Sequence, residues 1–253
     1  MKRRSFLLAG SLLGLPSAQS ATLLKVGAAL PDPPFEFFEA GHPAGFDIVL
    51  MQRIAARLNR QWQLVPYDGT DFDGIFAGLA DDSYDCVASG TTITPARERI
   101  ADFCDPYITS GQSLVVDPQR HPAVYSIKDL QGLVIGVQQG NTSQPVAERL
   151  VAEGRAARVK VYAYDQIETA LSDLETGDCD VFMKLAPVTA WFVRTRPKLK
   201  LVQTGITTER LAICVRKGNM ALRDQINRVQ ASMHHDGSLA ALVHQWLGSG
   251  ASL

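Results

Sequence analysis

Asp85-DCVASGTTITPARERIADFCDPY-Tyr107 is the stretch whose reading decides the fold. Its apolar start, Cys86 to Ala88, reads as a buried strand. Ser89, Gly90, Thr91 and Thr92 then turn the chain through hydroxyls and flexible backbone. Thr94 is placed to cap a helix with Pro95 at its first position, which puts Arg97 in the first turn. A strand end, exposed amides and an arginine thus converge, an arrangement that favours a small anion, most simply a carboxylate. The plainer alternative for this stretch alone is a surface helix with a solvated arginine.

Working outward, the same alternation repeats on both sides. Upstream, Leu24 to Ala29 reads as a strand that enters the turn Pro31-Asp32-Pro33-Pro34 and an aromatic group, Phe35, Phe37 and Phe38. A helix opens at Gly45-Phe46-Asp47, with Ile48, Met51, Ile54, Ala55 and Leu58 at helical spacing. Trp62 to Pro66 is the next strand and Phe72 to Leu79 a short helix. Strand, helix, strand, helix, strand implies a largely parallel sheet covered by helices.

Downstream of Asp105-Pro106-Tyr107 the pattern restarts. Strands are expected at Ser113–Val116, Leu133–Gln138, Val159–Tyr162, Asp180–Met183 and Leu199–Gln203. Helices are expected at Ser126–Leu130 (capped by Ser126), Ser143–Ala152, Gln166–Glu175 and Pro187–Val193. One further strand, Arg210–Arg216, precedes two closing helices, Leu222–Met233 and Leu239–Leu247. The simplest layout is two α/β lobes joined near Tyr107–Gln112 and again near Ile206–Leu211, with a ligand between them at the carboxyl ends of the strands. The expected division is a first lobe from residues 21–109 and 209–253, and a second from residues 110–208.

Lys2, Arg3 and Arg4 precede an apolar run from Phe6 to Leu15, and Ala18-Gln19-Ser20 offers a small-residue cleavage site. Residues 1–20 therefore read as a secretory signal peptide, by the general or the twin-arginine route, and the absence of an early cysteine gives no lipid anchor. Without them the chain carries 22 basic against 26 acidic residues, a net charge of −4 that argues against a nucleic-acid partner. No later stretch is long enough to insert in a membrane. Cys86, Cys104, Cys179 and Cys214 permit three pairings or free thiols, and fit neither a zinc site nor a redox pair. No phosphate loop, dinucleotide turn, zinc-protease helix or nucleophile elbow occurs, so neither a cofactor nor a metal is expected. His42, His121, His234, His235 and His244 read as surface or packing residues.

Several segments together resemble the polar amino-acid class of bacterial solute-binding proteins that serve ABC importers. They are LKVGAALPDPPFEF, GFDIVLMQRIAARL, DFDGIFAGL, the stretch around ITPAR and DPY, GVQQGNTS and DGSLAALVHQWLG, in order over nearly all the chain after the signal. The resemblance implies the two-lobed type II periplasmic-binding fold, two crossing hinge strands and closure of a monomer around its ligand. It implies a periplasmic protein, an inner-membrane permease as partner, and a small amino acid or related carboxylate as ligand. Phe72 stands where such proteins set an aromatic ring against the ligand. Ser89, Gly90 and Thr92 stand at the positions that give amides and hydroxyls to its α-carboxylate, Arg97 at the arginine that grips that group, and Thr142 at the donor across the cleft.

The amine end departs from that pattern. The aspartate that usually takes the ligand ammonium is replaced by Leu185, and a second usual acid falls near Ala29. Asp32, three residues on, is the available substitute, while Lys184 faces either cleft or solvent. An ammonium buried without an acid is strongly disfavoured, so both an α-amino acid and a carboxylate lacking the amine stay open. The alternatives in function are an enzyme resembling cyclohexadienyl dehydratases, for which Lys184–Trp191 offers no acid, and a receptor for a sensor or another periplasmic system.

Overall fold

The structure, a computed structural model, describes residues 22–248. The signal-peptide reading of residues 1–20 lies outside them. The chain builds β1 (Thr22–Ala29), the hairpin β2 (Phe37–Glu39) and β3 (His42–Ala44), α1 (Phe46–Arg57) and β4 (Arg60–Tyr67). A 3-10 turn at Phe72–Phe76 runs into α2 (Ala77–Ala80), then β5 (Cys86–Val87), α3 (Pro95–Glu98) and β6 (Ala101–Phe103). After β7 (Ile108–Ser110) come β8 (Gln112–Val116), β9 (Val134–Gln138), α4 (Ser143–Ala152), β10 (Arg158–Tyr162) and α5 (Ile167–Thr176). Then follow β11 (Val181–Leu185), α6 (Ala186–Val193), β12 (Lys200–Gln203), β13 (Glu209–Leu211), β14 (Cys214–Arg216), α7 (Met220–His235) and α8 (Ser238–Leu247).

Two five-stranded sheets result, ordered β4-β1-β5-β14-β6 and β10-β9-β11-β8-β12. The strands fed by helical crossovers run parallel: β1 with β4 and β5, and β9 with β10 and β11. Each sheet also takes a strand arriving from the crossing segments, and these run antiparallel: β14 against β5 and β6, and β8 against β11 and β12. The sheets are therefore mixed where the alternating pattern had implied largely parallel ones. The expected single strand Arg210–Arg216 is two. β13 pairs with β7 to form the two-stranded link between the lobes, and β14 enters the first sheet.

Amphipathic helices cover both sheets. In α1 the residues Phe46, Leu50, Met51, Ile54 and Ala55 are buried in one cluster with Leu24 and Val26 of β1 and with Ile226 and Met233 of α7. The closing helices thus pack on the first lobe, as their apolar spacing predicts. The expected Ser126–Leu130 helix is a turn instead. Asp129 closes it backwards, accepting from the amides of Tyr125 (3.1 Å) and Ser126 (2.9 Å) and from the Ser126 hydroxyl (3.0 Å). That local competition of a short acid with the helix is a known habit of aspartate. Cys86, Cys104, Cys179 and Cys214 are all free and buried, which settles the open choice in favour of thiols. Among the described residues no helix is long and apolar enough to cross a membrane, and no group of side chains is arranged to hold a metal ion.

Candidate ligand-binding site

The 85–107 stretch folds as its residues dictate. Val87 ends its strand, the turn follows, and Thr94 caps the single-turn helix α3, its hydroxyl accepting from the Arg97 amide at 3.2 Å. The cap and Pro95 direct Arg97 away from solvent, and its side chain is buried although the helix lies at the surface. The guanidinium fork is spread over three acceptors. Nε donates to Asp73 at 2.9 Å, one terminal nitrogen to the Thr92 carbonyl at 3.1 Å, and the other to the Gly140 carbonyl at 2.9 Å. Its charge rests over the rings of Phe72 (4.8 Å) and Phe76 (5.5 Å), which fix its plane.

Gly140 belongs to the second lobe, so Arg97 ties the lobes together. Further ties surround it. The Phe72 amide donates to the Gln139 carbonyl at 3.2 Å, the Tyr164 amide to the Thr70 carbonyl at 2.7 Å, and the rings of Phe72 and Tyr164 lie 5.2 Å apart. Between these contacts runs a cavity lined by Asp32, Phe72, Ser89, Gly90, Thr92, Arg97, Thr142 and Leu185. These are the eight residues singled out from the sequence, and the fold brings all of them to one place. Gln112, Asn141, Ser143 and Lys184 complete the lining. The cavity is ≈ 20 Å³, room for about one or two waters. A larger molecule fits only when the lobes part.

The donors expected to face a carboxylate are engaged with the protein's own acids. The Ser89 hydroxyl donates to Glu36 and accepts from the Ala29 amide at 2.9 Å. The Gly90 amide donates to Asp47 at 2.6 Å, a direction set by its left-handed φ of +53°. The hydroxyls of Thr92 and Thr142, from opposite lobes, both donate to Oε2 of Glu209 at 2.7 Å. Oε1 of Glu209 accepts from Gln112 at 2.9 Å and from Thr207 at 2.6 Å. Glu209 was not foreseen. It stands on β13 beside an arginine, where it resembles an ordinary solvated acid, yet four donors converge on it. The buried Ser143 hydroxyl at the start of α4 lines the cavity and has no partner among the described residues, while the next amide, Gln144, is taken by the Asn141 carbonyl at 3.0 Å and Pro145 has no N–H to offer.

Behind Ser89 and Gly90 lies a reserve of buried acid. Burial raises the Asp47 carboxyl to about 7, opposed by the Gly90 amide and the Tyr107 hydroxyl (3.0 Å). Burial holds Glu36 well above the usual carboxylate range, and the neighbouring Asp47 and Asp32 push the same way. Asp32 is raised by burial, with Lys184 pulling against it.

Lys184 resolves the orientation left open at the amine end. It is 3% exposed and points into the cleft. Its Nζ donates to Gln138 Oε1 at 2.7 Å and lies 2.9 Å from Asp32 Oδ1, with the Tyr164 ring 5.2 Å away. The Asp32 contact is an ion pair between the lobes whose direction departs from hydrogen-bond alignment, so Oδ1 has no aligned donor among the described residues.

The family profile of bacterial extracellular solute-binding proteins, family 3, matches residues 24–249. ABC transporter arginine-binding protein 1 of Escherichia coli (strain K12) is 29% identical over 90% of this chain and 92% of its own. The L-cystine-binding protein TcyJ of the same strain is 30% identical over 91% of this chain and 84% of its own. Among solved structures, an ancestral arginine-binding protein bound to arginine superposes with a TM-score of 0.82 at 33% identity, covering 89% of this chain and 98% of that one.

Proposed function

Because this chain belongs to the bacterial extracellular solute-binding proteins of family 3, we propose that it is the binding component of an ABC importer, taking up a small amino acid or related organic carboxylate by closure of its lobes. The carrying observation is the cavity between the sheets, with Arg97 from one lobe and Thr142 from the other on its walls. Residues 22–109 and 209–248 move as one body in this reading, and residues 110–208 as the other. β7 and β13 absorb the change in backbone angle, as hinge strands do in domain closure. Phe72, Ser89, Gly90, Thr92, Arg97, Thr142, Asp32 and Leu185 form the ligand site in this reading, with Arg97 and the N-terminal end of the α4 dipole supplying the positive potential.

The relatives named above are binding proteins for arginine and cystine, which supports a transport role rather than an enzymatic one. Export by the signal at residues 1–20 would deliver the protein to the periplasm, where an inner-membrane permease receives it. Thermal-shift screening against amino acids, hydroxy acids, keto acids and dicarboxylates tests the reading. A true ligand raises the melting temperature, binds one-to-one by calorimetry and compacts the protein in small-angle scattering. If nothing in those classes does so at millimolar concentration, the reading fails. Conversion of prephenate or arogenate would replace it with the dehydratase alternative.

A further inference from the structure

Asp32 is the acid available to meet a ligand ammonium at the end of the cavity near Leu185, and Lys184 already occupies it. The ammonium of Lys184 cannot swing away without loss. Gln138 donates its own amide to the Tyr164 carbonyl, which turns its oxygen toward Lys184 and holds Nζ at 2.7 Å. The side chain is 3% exposed, so no path leads its charge to water while the lobes are together. A ligand ammonium carries three donors and no acceptor. Placed here it would meet a like charge at close range and compete with it for the same carboxylate, in a site shielded from water.

A hydroxyl meets different conditions. Lys184 has three N–H groups and spends them on Gln138 and, out of alignment, on Asp32, leaving one for an incoming acceptor. Among the described residues Asp32 Oδ1 is buried without an aligned donor, and the neighbouring Tyr164 hydroxyl is likewise without a partner. One hydroxyl oxygen between them accepts from Lys184 and donates to Asp32, which satisfies both. A keto oxygen satisfies only the lysine, and an ammonium only the aspartate. Resting on the binding function proposed above, we infer that the ligand is a carboxylate bearing a hydroxyl where an amino acid bears its α-ammonium, with Lys184 and Asp32 reading that hydroxyl and Arg97 and the Ser143 hydroxyl holding the carboxylate.

Calorimetry on the exported form of the protein with matched pairs tests this: malate against aspartate, 2-hydroxyglutarate against glutamate, lactate against alanine, with the corresponding keto acids as a third arm. In at least one pair the hydroxy acid binds tenfold or more tightly than the amino acid, with the keto acid between. Lys184→Met removes the cation and frees Asp32, so the preference collapses or reverses toward the amino acid. Lys184→Gln repeats the test with a polar side chain in case the apolar variant folds poorly. Tighter binding of an amino acid than of its hydroxy partner overturns the inference while leaving the binding function intact. An unchanged preference in folded Lys184 variants also overturns it. Failure of every arm to bind overturns the binding function itself.

Discussion

Thr92 of the first lobe and Thr142 of the second donate to the same oxygen, Oε2 of Glu209, each at 2.7 Å. A carboxylate on the crossing strand thus fastens the two lobes through hydroxyls that line the cavity, while Gln112 and Thr207 hold its other oxygen. The protein's own acid occupies donors that a ligand carboxylate would otherwise find free. Entry of a ligand and opening of the lobes both require this knot to loosen.

Glu209→Gln is expected to shift the balance toward the open form. An amide carries no charge and presents one acceptor oxygen, so all four bonds lose their charge assistance and the threonine hydroxyls facing the new NH2 must turn round to accept. Hydrogen bonds to a charged group contribute about 1.5–3 kcal/mol each, and even half of one such loss moves an equilibrium severalfold. Small-angle scattering of the variant without added ligand should give a larger radius of gyration than wild type. An unchanged radius would mean that Glu209 positions β13 without fastening the lobes.

Arg97→Ala is expected to weaken ligand binding by roughly 2–5 kcal/mol, the usual cost of truncating one side of a buried charge pair. Arg97→Lys should recover little of it. A lysine is a point charge and cannot reach Asp73, the Thr92 carbonyl and the Gly140 carbonyl together, as the guanidinium does. Calorimetry with the best ligand from the screen checks both variants, and undiminished affinity in Arg97→Ala would remove Arg97 from the site.

The parts of this site that were legible in the sequence are those built from short-range chemistry. Thr94, Pro95 and Arg97 lie within four residues, so cap, helix start and buried guanidinium follow from one another. Glu209 gave no such signal, because its partners Thr92, Gln112 and Thr142 lie 117, 97 and 67 residues away. Lys184 was ambiguous for another reason. All five residues of β11 are buried, since the strand is covered on both faces, and the alternation that separates inside from outside is lost. The Ser126 turn misled because Ser126 does accept from the Lys128 amide as a cap would, at 3.2 Å, but Asp129 reaches back to the amides of Tyr125 and Ser126 and no helix follows.

Stability should fall as pH rises from 5 to 8. With the Asp47 carboxyl raised from 3.8 to about 7 by burial, the folded chain keeps a proton that the unfolded chain gives up. Its contribution is complete below 3.8 and is lost as pH passes through about 7, at up to about 1.4 kcal/mol per pH unit. Glu36 and Asp32 are shifted in the same direction. Asp47→Asn keeps an oxygen for the Gly90 amide and the Tyr107 hydroxyl but carries no charge at any pH. Its melting temperature should change less between pH 5 and pH 8 than that of wild type, and an equal slope would place the titration elsewhere.

Gly140→Ala should oppose closure while leaving each lobe intact. An added Cβ would lie 2.1 Å from Asp71 Oδ1 and 2.8 Å from the backbone nitrogens of Phe72 and Asp73, all on the opposite lobe. The acid side chain has room to move; the two backbone atoms do not. The residue also has φ of +75°, so alanine carries a conformational penalty of about 1–2 kcal/mol that is independent of the lobes. Gly132→Ala isolates that penalty, because Gly132 has φ of +80° and no described residue lies within 4 Å of the added carbon. Both variants should lose similar thermal stability without ligand. Gly140→Ala alone should lose affinity, by about 1–3 kcal/mol if the overpacking resembles that in a protein core. Equal affinities in the two would mean that the Gly140 turn does not approach the 3-10 turn at Phe72–Phe76 in the bound protein.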